Sequence, residues 1–92
     1  IITIALEQIQ EFIDNTNQSL PNNNWEMVFN DAHRLKSTLG TLGIEKLKEP
    51  IIAIEKLTHS RQNLDEIASI FEDFKQQCQT EIPKLEAELR QL

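Results

Sequence analysis

The sequence has little that could hold a protein together covalently or place it in a membrane. Its single cysteine, Cys78, cannot form a disulfide within the chain, so nothing indicates an oxidising compartment. No apolar run approaches the roughly 20 residues that a membrane span requires, and no signal peptide is visible. We therefore expect a cytoplasmic protein, or the cytoplasmic part of a membrane-bound one, whose own domain makes no membrane contact.

Glycine and proline are also scarce, and basic residues are fewer than acidic ones. Two Gly, three Pro and no Tyr in 92 residues leave a composition rich in Leu, Ile, Glu, Gln, Lys and Ala, which is typical of α-helices. The formal charge of −6 argues against nucleic acid as a partner, because phosphate backbones need clustered Lys and Arg. The length allows one hydrophobic core, so we expect a single domain over residues 1–92.

Apolar residues recur every three or four positions in four stretches, which predicts four amphipathic helices. The four stretches run over Ile2–Leu20, Trp25–Leu42, Ile44–Leu57 and Leu64–Leu89. Residues 58–63 are predicted to be a polar connection. Helices joined by short loops must cover their apolar stripes with one another, so the expected fold is all-α, an antiparallel up-down-up-down four-helix bundle.

Turn-forming residues mark the expected ends of the helices. Asn23 or Asn24 can cap the start of the second helix, and Gly43 can end it in the left-handed region. Pro50 should kink the third helix or confine its regular part to the residues that follow. Pro83 removes a backbone donor from the long last helix, so we expect a bend near Pro83.

His33 is the candidate functional residue of the second helix. At about 100° per residue the apolar stripe is centred far from His33, so the imidazole should face water or a partner. Its neighbours three, four and seven positions away are Glu26, Phe29, Asn30, Lys36, Ser37 and Gly40. A neutral imidazole nitrogen is a competent nucleophile toward phosphorus. An exposed Lys36 would attract phosphoryl oxygens, and the small Ser37 and Gly40 would leave room for another protein.

One stretch of this helix resembles a known family. It reads Ala32-His33-Arg34-Leu35-Lys36-Ser37-Thr38-Leu39-Gly40-Thr41-Leu42-Gly43. The stretch resembles the histidine-containing phosphotransfer (HPt) family, which has an Ala-His pair, an apolar residue two after the His, Lys three after it and Gly ten after it. Ile54-Glu55 stands where the family has a Leu-Glu pair near the end of its third helix. Ser37 departs from the pattern, because the family usually has Gly there.

The resemblance implies a phosphoryl carrier without independent catalysis. A response-regulator receiver domain, with its aspartyl phosphate, Mg²⁺ and acidic pocket, would dock over His33 and later receivers would take the group onward. His33 would be the phosphoacceptor, and Lys36 would stabilise phosphoryl charge. The partner would contact Glu26, Phe29, Asn30, Ser37 and Gly40. The Mg²⁺ would belong to the receiver, so this chain is expected to hold no cofactor or metal, and its start at Ile1 suggests a segment of a longer chain such as a hybrid sensor histidine kinase.

Two other interpretations fit the sequence. The chain could be a helical protein-interaction bundle without phosphoryl chemistry, in which His33 and Phe29 belong to a docking face. The run 40–43 also resembles part of the chemotaxis kinase phosphotransfer domain, which would make this chain a substrate of an ATP-bound kinase domain. We interpret His59 as a surface residue that can pair locally with Glu55, and the carboxylates in general as facing solvent.

Overall fold

The computed structural model describes residues 2–61 and 63–90, apart from the side chains at positions 2, 3, 64 and 88–90. These residues form helices and no strand, so the predicted all-α class is confirmed. The helices are α1 (Ile2–Ser19), α2 (Trp25–Leu42), α3 (Glu45–Ser60) and α4 (Leu64–Arg90).

Each helix packs against the next one, and α1 closes the ring against α4. The contact of α2 with α3 is the most extensive. The Cα atoms of the diagonal pairs, α1 with α3 and α2 with α4, stay more than 8 Å apart within the described ranges. Because short connections join consecutive helices, neighbours run antiparallel. The predicted up-down-up-down bundle is confirmed.

The core is built from one apolar face of each helix. Its buried apolar residues are Ala5, Ile9, Phe12, Val28, Ala32, Leu35, Leu39, Leu47, Ile51, Ile54, Ile67, Phe71, Phe74 and Cys78. The ring of Phe12 meets two rings of α4 edge to face, with centroids 6.0 Å from Phe71 and 5.5 Å from Phe74. Full burial of such a side chain contributes roughly 1.5–3 kcal/mol. Burial also raises the pKa of the Cys78 thiol to about 12, so this thiol behaves as a small apolar group.

The buried face of α1 is wider than the predicted stripe. The spacing of apolar residues predicts a stripe of Ile2, Leu6, Ile9, Ile13, Thr16 and Leu20. Ala5 and Phe12 are buried although they lie outside that stripe, whereas Leu6 and Ile13 within it are only half-buried. α1 packs against both α2 and α4, so its core-facing surface includes residues on both sides of the stripe. The side chain of Ile2, which the prediction also included, lies outside the described residues.

Both internal prolines lie within continuous helices. The expectation that regular helix in α3 begins only after Pro50 is wrong. Pro50 lies in the second turn, where it removes the single hydrogen bond to the carbonyl of Lys46. A kink at Pro50 and a bend at Pro83 stay predictions. The 27 residues of α4 span about 40 Å at 1.5 Å per residue, close to the 42 Å length of the molecule, so α4 extends beyond the shorter helices.

Capping residues fix both ends of α2. The side-chain oxygen of Asn24 accepts a hydrogen bond from the backbone N–H of Met27 at 3.3 Å. Gly43 follows the helix with φ of 72°, and its N–H donates to the carbonyl of Gly40 at 3.3 Å. The predicted caps at Asn24 and Gly43 are therefore confirmed.

α3 is longer than the sequence pattern predicted. It continues through Thr58 to Ser60 and ends at Arg61, which adopts φ of 57°. Thr58, predicted to lie in a polar connection, is buried, and its hydroxyl donates to the carbonyl of Ile54 at 2.8 Å. A threonine whose hydroxyl is satisfied in this way can remain in a helix. The extension keeps His59 on α3.

One carboxylate is buried where α2 faces α1, contrary to the expectation that the carboxylates face solvent. The Asp31 side chain is 6% exposed, and its Oδ2 has no hydrogen-bond partner within the described structure. Burial raises the pKa of Asp31, although the guanidinium of Arg34, 4.0 Å away, acts in the opposite direction. The position follows from helical spacing, because Asp31 lies four residues before the buried Leu35.

We expect Asp31→Asn to stabilise the protein at pH 7 by about 1 kcal/mol, because the amide places no charge in this site. A pKa raised in the folded state contributes stability at low pH that is lost as the pH rises through the folded pKa. The advantage of the variant should therefore shrink as the pH falls. Chemical denaturation at pH 4 and 7 measures this, with exposed Asp73→Asn as the control. Equal stability of Asp31→Asn and wild type at pH 7 would contradict the prediction.

Candidate functional site

His33 lies near the middle of α2 on the face directed away from the core. Its side chain is 61% exposed, whereas Ala32 and Leu35 are buried. At helical spacing, the residues that pack inward at positions 32 and 35 leave position 33 turned outward. The predicted exposure of His33 is confirmed.

Glu55 of α3 links His33 to Lys36. Its Oε2 lies 2.6 Å from Nδ1 of His33, and its Oε1 accepts a hydrogen bond from Nζ of Lys36 at 2.7 Å. His33 and Lys36 lie three residues apart on one face of α2, so a single carboxylate on the neighbouring helix reaches both. Glu55 was absent from the predicted site, and the structure places it at the centre.

The ionisation of Glu55 determines the tautomer of His33. The Glu55 side chain is 13% exposed, and although burial raises its pKa, hydrogen bonds from Lys36 and His33 hold the net pKa of Glu55 below its usual value. Glu55 is therefore ionised at neutral pH and can only accept hydrogen bonds. Nδ1 of His33 must carry the proton that it donates to Glu55, which leaves the lone pair of the neutral ring on Nε2.

Lys36 is less exposed than the sequence predicted. Its side chain is 30% exposed, and its ammonium is bonded to Glu55 rather than standing free beside His33. The low exposure of Lys36 has the same cause as the position of Glu55, since both depend on how α3 packs against α2. An ammonium has three N–H donors, and the bond to Glu55 uses one of them. The others can donate to an anionic group brought to His33.

Phe29 lies between two imidazole rings at the edge of the site. Its ring centroid is 6.1 Å from that of His33 with the planes 19° apart, and 5.5 Å from that of His59 with the planes 33° apart. Phe29 is half-buried, between the core and the solvent. The local pair of His59 with Glu55 that the sequence allowed does not form among the described residues, where Glu55 bonds to His33 and Lys36 of α2. One concave surface is lined by Phe29, His33, Glu55, Lys56 and His59.

The other predicted partner-facing residues divide into two groups. Ser37 and Gly40 line a second concave surface, which shares Glu55 with the first one. Glu26 and Asn30 are exposed on α2 but line neither surface. The site therefore extends from His33 toward the C-terminal end of α2, which is the less acidic direction along this helix.

The sequence contained one signal for Glu55. The pair Ile54-Glu55 matched a family position, but spacing along α3 alone pointed toward His59 as a partner. The contact actually joins residues 22 positions apart, His33 and Glu55. A contact of this kind depends on the relative rotation of two packed helices, which spacing within either helix does not report.

The described residues contain neither a metal-binding cluster nor a membrane-spanning helix. Within 2–61 and 63–90, no group of three or more His, Cys, Asp or Glu side chains is arranged to hold a metal ion. No helix in these ranges combines the length and the apolar character that crossing a bilayer requires.

Comparison with known proteins identifies the class that this fold and site define. A family model described as the Hpt domain matches residues 1–92, the whole chain. The chain therefore belongs to the Hpt domain family, the histidine phosphotransfer carriers of two-component signalling. Hpt domains interact with receiver domains of response regulators and carry phosphoryl groups without independent catalysis. No curated protein and no solved structure matches the chain.

Glu55→Gln is expected to lower the free energy of unfolding at pH 7 by roughly 1–2 kcal/mol, because charged hydrogen bonds to both α2 residues become neutral ones. A depressed carboxyl pKa contributes stability above the unfolded pKa, and this stability is lost as the pH falls through the folded pKa. The variant should therefore lose less stability on acidification than wild type. Denaturant titrations from pH 7 to pH 3 measure both effects.

Glu49→Gln is the matched control for this prediction, since Glu49 is exposed on the same helix. It should leave the free energy of unfolding nearly unchanged at every pH. Identical pH profiles for Glu55→Gln and Glu49→Gln would show that the carboxylate of Glu55 does not stabilise the helix pair.

Proposed function

We propose that this domain accepts a phosphoryl group from the aspartyl phosphate of a receiver domain onto Nε2 of His33, and passes it to the aspartate of another receiver. One observation carries the proposal: His33 is exposed while its Nδ1 is held by Glu55. This arrangement leaves Nε2 as the nitrogen with a lone pair for attack on phosphorus.

The proposed transfer needs little chemistry beyond positioning and charge stabilisation. The Nε2 lone pair forms the N–P bond as the bond between phosphorus and the aspartate oxygen breaks, and the aspartate leaves as a carboxylate. The phosphorylated ring of His33 then bears positive charge while its proton stays on Nδ1. The carboxylate of Glu55, 2.6 Å from Nδ1, stabilises that charge. Return of the group to an aspartate reverses these steps.

Lys36 supplies the opposite charge. Its Nζ is bonded to Glu55 at 2.7 Å, which holds the ammonium one turn from His33. The N–H donors that Glu55 does not use can bond to phosphoryl oxygens as charge moves onto them in the transition state. Glu55 thus positions both the nucleophile and the cation, whereas His33 and Lys36 meet the phosphoryl group.

The partner in this proposal is a receiver domain, and it brings the Mg²⁺ that neutralises its own acidic pocket. The chain itself supplies no cofactor or metal. We assign Phe29, Ser37 and Gly40 to the surface that the receiver covers, because they line the concavities around Glu55. Glu26 and Asn30, exposed toward the start of α2, would lie at the margin of that surface.

Incubation with a receiver domain charged by acetyl phosphate is expected to label the wild-type domain, with a label that is lost in acid and stable in base. His33→Gln should abolish the label, because it removes the only proposed nucleophile. His59→Gln, which changes the second imidazole of the same concave surface, should keep it. Label that persists in His33→Gln would contradict the proposal. Label acquired only from an ATP-bound kinase domain would instead make the chain a chemotaxis-type kinase substrate.

Lys36→Ala is expected to slow transfer by about tenfold to a hundredfold, because a charge-stabilising donor is lost from the transition state. Quench-flow measurement of the transfer rate at saturating receiver checks this. The bundle should remain folded, since the Lys36 ammonium lies at the surface, and circular dichroism verifies it. Lys84→Ala, on the exposed surface of α4, is the control and should transfer at the wild-type rate. An unchanged rate in Lys36→Ala would remove Lys36 from the mechanism.

A further inference from the structure

Lys48 of α3 lies across α2 at Gly40. Its Nζ and Cε stand 3.3 and 3.5 Å from the position that a Cβ on residue 40 would occupy. The missing side chain of Gly40 therefore makes room for a lysine of the same chain. The Lys48 ammonium is thereby placed on the concave surface that also contains Ser37 and Glu55.

The Lys48 ammonium has no acidic partner within the described structure. Among the described residues, no carboxylate oxygen lies within 4.0 Å of its Nζ, including those of Glu45, one turn earlier on α3. Lys36 differs, because its ammonium is bonded to Glu55. The Lys48 side chain is half-buried, so its range of positions is restricted. A positioned ammonium without a partner is suited to bind an anionic group from another molecule.

The surface around Lys48 is basic although the protein is acidic. Lys36, Lys48 and Lys56 line it, and its carboxylate, Glu55, is already bonded to Lys36 and His33. The whole chain has a formal charge of −6, so three cations on one concave surface oppose the general charge of the molecule. This concentration of positive charge complements a partner with an acidic face.

We propose that Lys48 binds a carboxylate of the docking receiver domain and so helps to determine which receiver His33 serves. This inference rests on the proposed function. The carboxylate that Lys48 would bind lies on the receiver surface that faces Gly40, outside the acidic pocket that Mg²⁺ neutralises. Lys48 contacts α2 at Gly40, which lies seven residues, about two helical turns, beyond His33. It therefore acts on docking and partner choice, whereas Lys36 acts on the transfer step.

Lys48→Glu and Lys46→Glu form the matched pair for the test. Both reverse one charge on α3, but Lys46 is 74% exposed and faces Glu81 of α4 instead of α2. The probe is chosen from a panel of purified receiver domains charged with acetyl phosphate. It is the receiver that labels the wild-type domain at the lowest concentration.

We expect Lys48→Glu to raise the receiver concentration for half-maximal transfer by about tenfold or more, with the saturating rate unchanged. Lys46→Glu should change neither quantity by more than about twofold, because exposed charges at a distance from the interface contribute little. The difference between the variants should shrink in high salt, since salt screens the interaction between charges.

Three further substitutions separate the effect of the Lys48 charge from the effect of packing. Lys48→Met keeps an aliphatic stem over Gly40 without the ammonium, and should reproduce part of the loss, whereas Lys48→Arg should restore docking. Gly40→Ala should raise the melting temperature, because Ala is the better helix former, yet weaken docking by displacing the Lys48 ammonium.

Equal effects of Lys48→Glu and Lys46→Glu on half-maximal transfer would overturn the role of Lys48 and leave phosphorylation of His33 intact. A lower saturating rate with an unchanged half-maximal concentration would also overturn it, because Lys48 would then act in the transfer step. If no receiver in the panel labels the wild-type domain, the proposed function falls and this inference falls with it.

Discussion

The rest of the site depends on two hydrogen bonds that the carboxylate of Glu55 accepts from α2. One of its oxygens holds Nδ1 of His33 and the other holds the ammonium of Lys36, at 2.6 and 2.7 Å. A surface histidine without such a partner would exchange between rotamers and between tautomers. Glu55 removes both freedoms at once, because a hydrogen bond to an ionised carboxylate is directional and strong. In the proposed transfer, a residue that the phosphoryl group need not touch thereby determines which nitrogen of His33 reacts with it.

The packing of α2 on α3 places this carboxylate. That contact is the most extensive in the bundle, and Ile54, directly before Glu55, is fully buried in the core. Close packing allows little sliding of one helix past the other, so the two short hydrogen bonds are kept in register. The side chain of Lys48 on α3 contacts the same helix pair where it lies over Gly40 of α2. The edge of one helix pair thus carries both the proposed transfer chemistry and the proposed docking charge, while α1 and α4 complete the core that supports it.

Features that depend on spacing within a single helix could be predicted from the sequence. The four helices, the caps at Asn24 and Gly43 and the outward position of His33 are of this kind. Features that depend on the packing of one helix against another could not be predicted from spacing within either helix. For Glu55 the spacing offered only a local partner, His59, four residues further along the chain, and Asp31 was placed in solvent although α1 covers it. Even the resemblance, which pointed to the correct family, did not identify the contact that orients the imidazole, because family motifs record residue types and not the geometry between helices.

Glu55 holds the neutral ring of His33 in the tautomer with its proton on Nδ1, and the proposed chemistry depends on this tautomer. Nitrogen-15 NMR of the labelled imidazole distinguishes the two tautomers directly by the shifts of the two ring nitrogens. In the wild-type domain we expect a protonated Nδ1 and an unprotonated Nε2 in His33. In Glu55→Leu we expect a shift toward the other tautomer, while the signals of His59 report any general disturbance of the surface. A wild-type His33 whose neutral ring carries its proton mainly on Nε2 would contradict the account.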